Sequence, residues 1–317
     1  MKPLYSWLLG SLLIGHACSV AALDSVIAPR ADKSLSLDIV ATGPDQHVAV
    51  GERGHVLISS DDGQSWQQAQ VPTRATLTSI AANNGQIIVG GHDGVLLLSN
   101  DGGQVWKMVR NEPDQEKPVL DIVFLDQKTA FAVGAYGLYL KTTDGGYRWV
   151  EEEHPELEIP EFGFPHFYQL LPLQDGSLLL VGEAGFVARS EDNGDNWTTL
   201  PLPYEGSLFA VGQTESGALI VAGMRGNILR SDDLGQNWQT IDIDIRSGLN
   251  NIVVDGKEVV ITGMDGIILR STDDGRTFTV KQRPNRKAIS AATLEQEKLL
   301  VAAEDGLHVL ELPATAQ

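Results

Sequence analysis

The sequence predicts an all-β chain folded as one seven-bladed β-propeller with four-stranded blades. The first observation is a short box, S-x-D-x-G-x-x-W, first met as Ser59–Trp66. It returns at Ser99–Trp106, Thr142–Trp149, Ser190–Trp197, Ser231–Trp238 and Ser271–Phe278. The second is the spacing: the box aromatics at 66, 106, 149, 197, 238 and 278 are 40, 43, 48, 41 and 40 residues apart. A period near forty residues in a strand-rich chain is the mark of one propeller blade per repeat. The third is a glycine pair before each box: Gly51–Gly54, Gly91–Gly94, Gly134–Gly137, Gly182–Gly185, Gly223–Gly226 and Gly263–Gly266. A seventh copy, Ala303–Gly306, has lost its first glycine and has no box after it.

Each element follows from local chemistry. The box begins with a turn: its Asp accepts hydrogen bonds from turn amides, and its Gly takes a backbone angle that a Cβ resists. The aromatic then folds against the base of the turn and buries apolar area. The structural pairs are therefore Asp61 with Trp66, Asp101 with Trp106, Asp144 with Trp149, Asp192 with Trp197, Asp233 with Trp238, and Asp273 with Phe278. In the second blade the strands are expected at Leu77–Ala81, Gln86–Gly90, Val95–Ser99 and Trp106–Arg110, from the innermost outward. Second strands such as Ala130–Val133 and Leu178–Val181 are nearly continuous apolar runs, as befits strands covered on both faces. The glycine pairs fit two-residue hairpins between second and third strands.

The N-terminus reads as a secretory signal peptide over residues 1–22. Met1-Lys2 gives a basic start, Leu8–Ile14 is mostly apolar, and Val20-Ala21-Ala22 offers small residues for cleavage. Gly15-His16-Ala17 before Cys18 is a poor lipidation box. Residues 23–317 then form the propeller. Leu23–Ala28 resembles the segments that follow the boxes and is expected to complete the last blade, closing the ring and removing an exposed strand edge. Cys18 is the only cysteine of the chain, so the segment after it has no disulfide, thiolate metal site or cysteine nucleophile. The formal charge of −19 argues against nucleic acid as a partner.

Six boxes in a seven-blade chain resemble the Asp-box (BNR-repeat) propellers. A fuller unit, Ala222-Gly223-Met224-Arg225-Gly226-Asn227-Ile228-Leu229-Arg230-Ser231-Asp232-Asp233, narrows this further. With the exported N-terminus, it resembles the photosystem II stability/assembly factor family, here a bacterial member. The resemblance covers nearly all of residues 23–317. It implies a lumenal or periplasmic propeller that binds membrane-protein assembly intermediates, with no catalysis and no cofactor. In a photosynthetic host the compartment is the thylakoid lumen. Relatives in other bacteria are associated with RND-type transporters.

The family also has an arginine-rich surface patch. The position before the first box residue is Lys141, Arg189, Arg230 and Arg270 in blades three to six, an arc that would hold an acidic segment of a partner. The competing reading stacks each cation on a nearby Trp or pairs it with a box Asp of the neighbouring blade. A second candidate surface is the Val150–Phe167 connection, with five Glu before Ile159 and then Phe162, Phe164 and Phe167. It shares a face with the hairpin tips, opposite the boxes.

The other function classes have less to stand on. The alternative is a carbohydrate-binding or sialidase-like glycosidase propeller, since Asp boxes occur there as well. Its usual Arg-Ile-Pro segment is missing, because Arg30 is followed by Ala31-Asp32. A box Asp recurs at every blade, whereas a catalytic group is needed once. The histidines are too scattered for a zinc site, and no metal is predicted.

Overall fold

The computed structural model describes residues 23–295 and 297–314. The predicted signal peptide and Cys18 lie outside them. Among the described residues, twenty-seven strands form six four-stranded antiparallel sheets and one three-stranded sheet. Among the described residues no helix is long and apolar enough to cross a membrane.

The blades follow the repeat. In blade two the strands are Leu77–Asn83, Gln86–Gly91, Leu96–Ser99 and Lys107–Arg110, paired in chain order from the innermost outward. The second strands are the most buried elements. Ala130–Gly134, Leu178–Gly182 and Leu219–Gly223 are buried at every position. A strand covered on both faces has no use for alternation, which is why these runs are continuously apolar.

Apolar burial is concentrated between blades. One cluster joins Val48, Val50 and Leu97 of blades one and two, and another joins Phe131, Val133 and Leu180 of blades three and four. The remaining clusters fill the other interfaces in the same way around the ring. Burying a Val, Leu, Ile or Phe side chain contributes roughly 1.5–3 kcal/mol. Repeated interfaces of this kind stabilise what no single blade could.

The glycine-pair connections are wider than a two-residue hairpin. In blade one the ladder ends at Val50 opposite Val56, and a short 3-10 turn over Glu52–Gly54 spans the gap. The first glycine is required because the entering chain crosses it: a Cβ on Gly51 would run into the Leu35 carbonyl oxygen. In blade seven, where Ala303 replaces that glycine, the turn is the tight one: Ala303 pairs directly with Gly306.

Ring closure also differs from expectation. Among the described residues the last blade has three strands, Ile289–Glu295, Lys298–Ala303 and Gly306–Glu311. Leu23–Ala28 does not add a fourth. It runs along the outer edge of blade one instead: the Ser25 amide donates to the Val71 carbonyl at 2.8 Å, and the Val71 amide donates to Ser25 Oγ at 2.9 Å. Gln68 reaches both Val26 and Ala28. The seam between blades seven and one is closed by side chains. Ile39, Ala49, Leu57, Ala291, Leu300 and Leu307 meet there, with Ala31 among them. His47 Nε2 lies 2.9 Å from Glu295 Oε1 across it.

Candidate functional site: two faces and a channel

The boxes lie on one face of the ring. In each, the leading hydroxyl and the Asp clasp the turn between them. Ser59 Oγ donates to Asp61 Oδ1 at 2.9 Å, the Gly63 amide donates to Ser59 Oγ at 2.9 Å, and the Ser65 amide donates to Asp61 Oδ1 at 2.9 Å. The Ser65 hydroxyl and amide hold the Asp61 carboxyl below the usual range, and the Asn237 side chain does the same for Asp233. Trp66 Nε1 then donates to the Gly63 carbonyl at 3.1 Å, and Trp106, Trp149 and Trp238 repeat that bond. Trp197 is the exception: beside Tyr139, its buried indole nitrogen has no partner among the described residues. Each box also seals a blade interface, as where Gly63 meets Leu300 and Gly103 meets Ile58.

The four cations that precede the boxes are occupied within the molecule. Lys141 Nζ is 2.7 Å from Asp195 on the next blade. Arg189 holds Asp175 at 2.6 Å and Glu191 at 3.2 Å. Arg230, only 4% exposed, is clamped between Asp232 and Asp274. Arg270 donates to Glu258 at 2.7 Å and to the Pro313 carbonyl at 2.9 Å. These residues form an arc in sequence register, but the arc offers little uncompensated positive charge. Of the competing expectation, a box Asp of the neighbouring blade, Lys141 and Arg230 meet an Asp within the next blade's box, whereas Arg189 and Arg270 pair with Asp175 and Glu258 of their own blades.

The opposite face carries the glycine-pair turns and the connections that enter the innermost strands. Phe162 and Phe164 are 51% and 41% exposed there. Phe167 is not part of that surface. It opens the innermost strand of blade four, packs against Phe186 at 5.6 Å and is 1% exposed. Proximity in sequence concealed the change: the chain turns inward at Pro165, between the second and third phenylalanine.

Sequence reasoning missed an aromatic line on this face. Tyr136 is 57% exposed at the tip of the blade-three turn, in the left-handed backbone region at φ 54°. Its ring lies 4.6 Å from His166, His166 stacks near Tyr168 at 6.2 Å, and Tyr168 meets Phe209 edge-on at 5.0 Å. The signal was present in the equivalent positions of neighbouring repeats, at the residue that follows the first of each innermost strand.

Tyr168 and Phe209 reach the central channel, which is also lined by Asp38, Thr78, Asp121 and Asn250. Four innermost strands bridge to the next around this channel. Asp38 accepts from the Ile80 amide, Asp121 from Leu170, Gln169 from Val211 and Asn251 from Ala292. Burial pushes the Asp38 carboxyl up to about 7. Burial, together with the Asp38 charge, pushes Asp121 up to about 8. The channel lining has a tyrosine and carboxylates but none of the arginines that a sialic-acid carboxylate demands. Among the described residues no group of three or more His, Cys, Asp or Glu is placed to hold a metal ion.

Seven blades, clasped boxes and a narrow channel define a repeat propeller whose outer faces are its accessible surfaces. A sequence model of the family described as "Photosynthesis system II assembly factor YCF48" matches residues 25–114 and 111–208. The chain belongs to that family. Among solved structures it is similar to YCF48 bound to D1 peptide, at 18% identity over 89% of this chain and 95% of that one, with a TM-score of 0.73. It is also similar to YCF48 from Cyanidioschyzon merolae, at 19% identity over 92% and 99% of the two chains, with a TM-score of 0.70. Virginiamycin B lyase from Staphylococcus aureus shares the fold as well, at 14% identity over 87% and 94%, with a TM-score of 0.73. No curated protein sequence matches the chain.

Proposed function

We propose that the protein is an exported, non-enzymatic scaffold that holds a segment of a membrane protein or of its assembly intermediate. The observation that carries this reading is membership of the YCF48 family across residues 25–208, with a whole-ring likeness to YCF48 bound to D1 peptide. The geometry supports it physically. A ring held by interlocked blade interfaces presents loops and turns rigidly, so binding needs little ordering of the scaffold itself. Catalysis has no comparable support, because likeness to the lyase at 14% identity shows the fold alone. The compartment we propose is the periplasm, or the thylakoid lumen in a photosynthetic host, reached through the signal peptide at residues 1–22. In that host the partner is a photosystem II assembly intermediate.

The test is cross-linking of the native protein in its own envelope, followed by mass spectrometry of what is captured. A specific integral membrane protein is the expected result. Capture of glycans alone, or turnover on a glycoside panel, would overturn the scaffold reading in favour of a carbohydrate-active propeller.

A further inference from the structure

We propose that the turn face of blades three to five is a docking track for an extended polypeptide segment bearing lysine or arginine between apolar side chains. This deepens the scaffold reading above and rests on it.

The track is a line of aromatic side chains, in ring contact from Tyr136 to Phe209 and extended by Phe162 and Phe164. Phe162 sits at the tip of a small loop closed by the Ile159–Gly163 bridge. Phe164 lies over Gly137, where a Cβ would come within 2.8 Å of its side chain. Tyr136 stands beside it, and His166, Tyr168 and Phe209 carry the line to the channel mouth. The outer members are exposed and the inner ones are wedged in place, as suits rigid anchors that cost little entropy on binding.

The border of the track decides what it takes. The connection into blade three contributes Glu112, Asp114 and Glu116, and the connection into blade four contributes Glu153, Glu158 and Glu161. All are exposed, and none is in a salt bridge among the described residues. The nearby cations Arg110 and Lys117 are both engaged by Glu151. Elsewhere on this face the carboxylates are paired in part, although Asp93, Asp242 and Asp244 are exposed and in no salt bridge among the described residues. In blades six and seven, Asp305 is met by Arg283, Glu304 by Lys287 and Asp265 by Arg286. The connection that carries Phe162 and Phe164, and the one before it, thus hold exposed carboxylates in no salt bridge among the described residues, while Arg225 at the blade-five turn is an exposed cation on the same face. Aromatic faces and carboxylates together attract cationic side chains, and the same carboxylates repel acidic segments and anionic lipid. A second copy of this chain would bring like charge to like charge.

The probe is a short labelled peptide alternating lysine with phenylalanine, followed by fluorescence polarisation, with its glutamate-for-lysine counterpart as control. The intact propeller should bind the first, more weakly as salt rises, and should not bind the second. Glu153→Lys/Glu158→Lys should weaken binding about tenfold or more. Glu215→Lys/Asp255→Lys, the same charge change away from the track, should leave it within about twofold. Phe162→Ser, at an exposed site that spares the core, should also weaken binding. Equal loss in both charge pairs, no binding of the lysine peptide, or self-association that Phe162→Ser disperses would each overturn the track. Capture of a membrane protein by wild type and by Glu153→Lys/Glu158→Lys alike would refute the track while leaving the scaffold reading standing. Capture by neither would refute the scaffold reading instead.

Discussion

Arg230 shows how a residue that reads as surface recognition becomes part of the framework. Its guanidinium donates through Nε to the Asp274 carbonyl at 3.0 Å and through Nη2 to the Asp274 carboxylate at 2.8 Å. Both side chains are nearly fully buried, so removing the cation strands a carboxylate in the interior. Loss of one partner of such a pair costs about 3–5 kcal/mol. Arg276 also reaches Asp274, at 3.1 Å, and places the loss near the lower end. Arg230→Ala should therefore lower stability by about 3 kcal/mol in denaturant titration. Lys141→Ala, with a partner that is mostly exposed, should change it by less than about 1 kcal/mol. Position 230 was legible as one of a series of cations. Its burial was not, because Asp274 is 44 residues away on the next blade. Phe167 teaches the same lesson: membership of an aromatic-rich stretch says nothing about which side of the chain's inward turn a residue occupies.

Among elements, the box was the most legible, because it is held by bonds within a few residues. Asp101 accepts from Ser99 Oγ and from the amides of Gln104 and Val105. Asp101→Ala should cost about 1–2 kcal/mol, since the turn amides keep access to water. Trp106 is almost wholly buried between blades one and two, so Trp106→Ala should cost about 3–5 kcal/mol. A thermal melt of the two variants side by side would separate turn from plug, and an equal loss would show that the box acts as one unit. The glycine-pair turn was less legible. Its first glycine reads as turn chemistry, but the requirement comes from the chain entering the innermost strand, which sequence does not place there. Gly91→Ala would push a Cβ into the Thr76 carbonyl oxygen and should destabilise more than an exposed Gly→Ala change. The aromatic line on the turn face was hidden for a similar reason, since its members come from three blades.

For the whole molecule, two sets of carboxylates work in opposite directions with pH. The box Asp residues are held below their ordinary range by turn hydrogen bonds, led by the Ser65 hydroxyl at Asp61 and the Val105 amide at Asp101. Their contribution is present above about pH 4 and is lost as acid protonates them. Asp38 and Asp121 are raised by burial to about 7 and about 8. The folded state holds their protons more tightly than the unfolded chain. Their contribution is therefore present below about pH 4 and is lost as pH rises through about 7 and 8. Melting temperature should be higher near pH 5 than near pH 8.5. Asp38→Asn/Asp121→Asn should remove most of that decline, because an amide keeps the inter-blade bond as Asn251 does. A wild-type curve flat from pH 5 to 8.5 would refute the channel contribution. The number of blades was readable because each blade repeats the same burial problem. The closure was not, because the ends of a ring need only meet, and sequence does not dictate which neighbour the first strand chooses.

The seam between blades seven and one has a kinetic consequence. Every other blade is locked to its neighbour by chain that runs directly from one to the next, whereas this interface joins residues near opposite ends of the described chain. It is held by packed aliphatic side chains and the His47–Glu295 contact, and the third strand of blade seven, Gly306–Glu311, is met by the Ala31–Lys33 turn but has no outer strand among the described residues. Amides of Gly306–Glu311 and Ser36–Gly43 should then trade their hydrogens for solvent deuterium sooner than those of Leu178–Gly182, deep in blade four. Faster exchange at that joint alone would mean the ring can widen there without unfolding its other six interfaces.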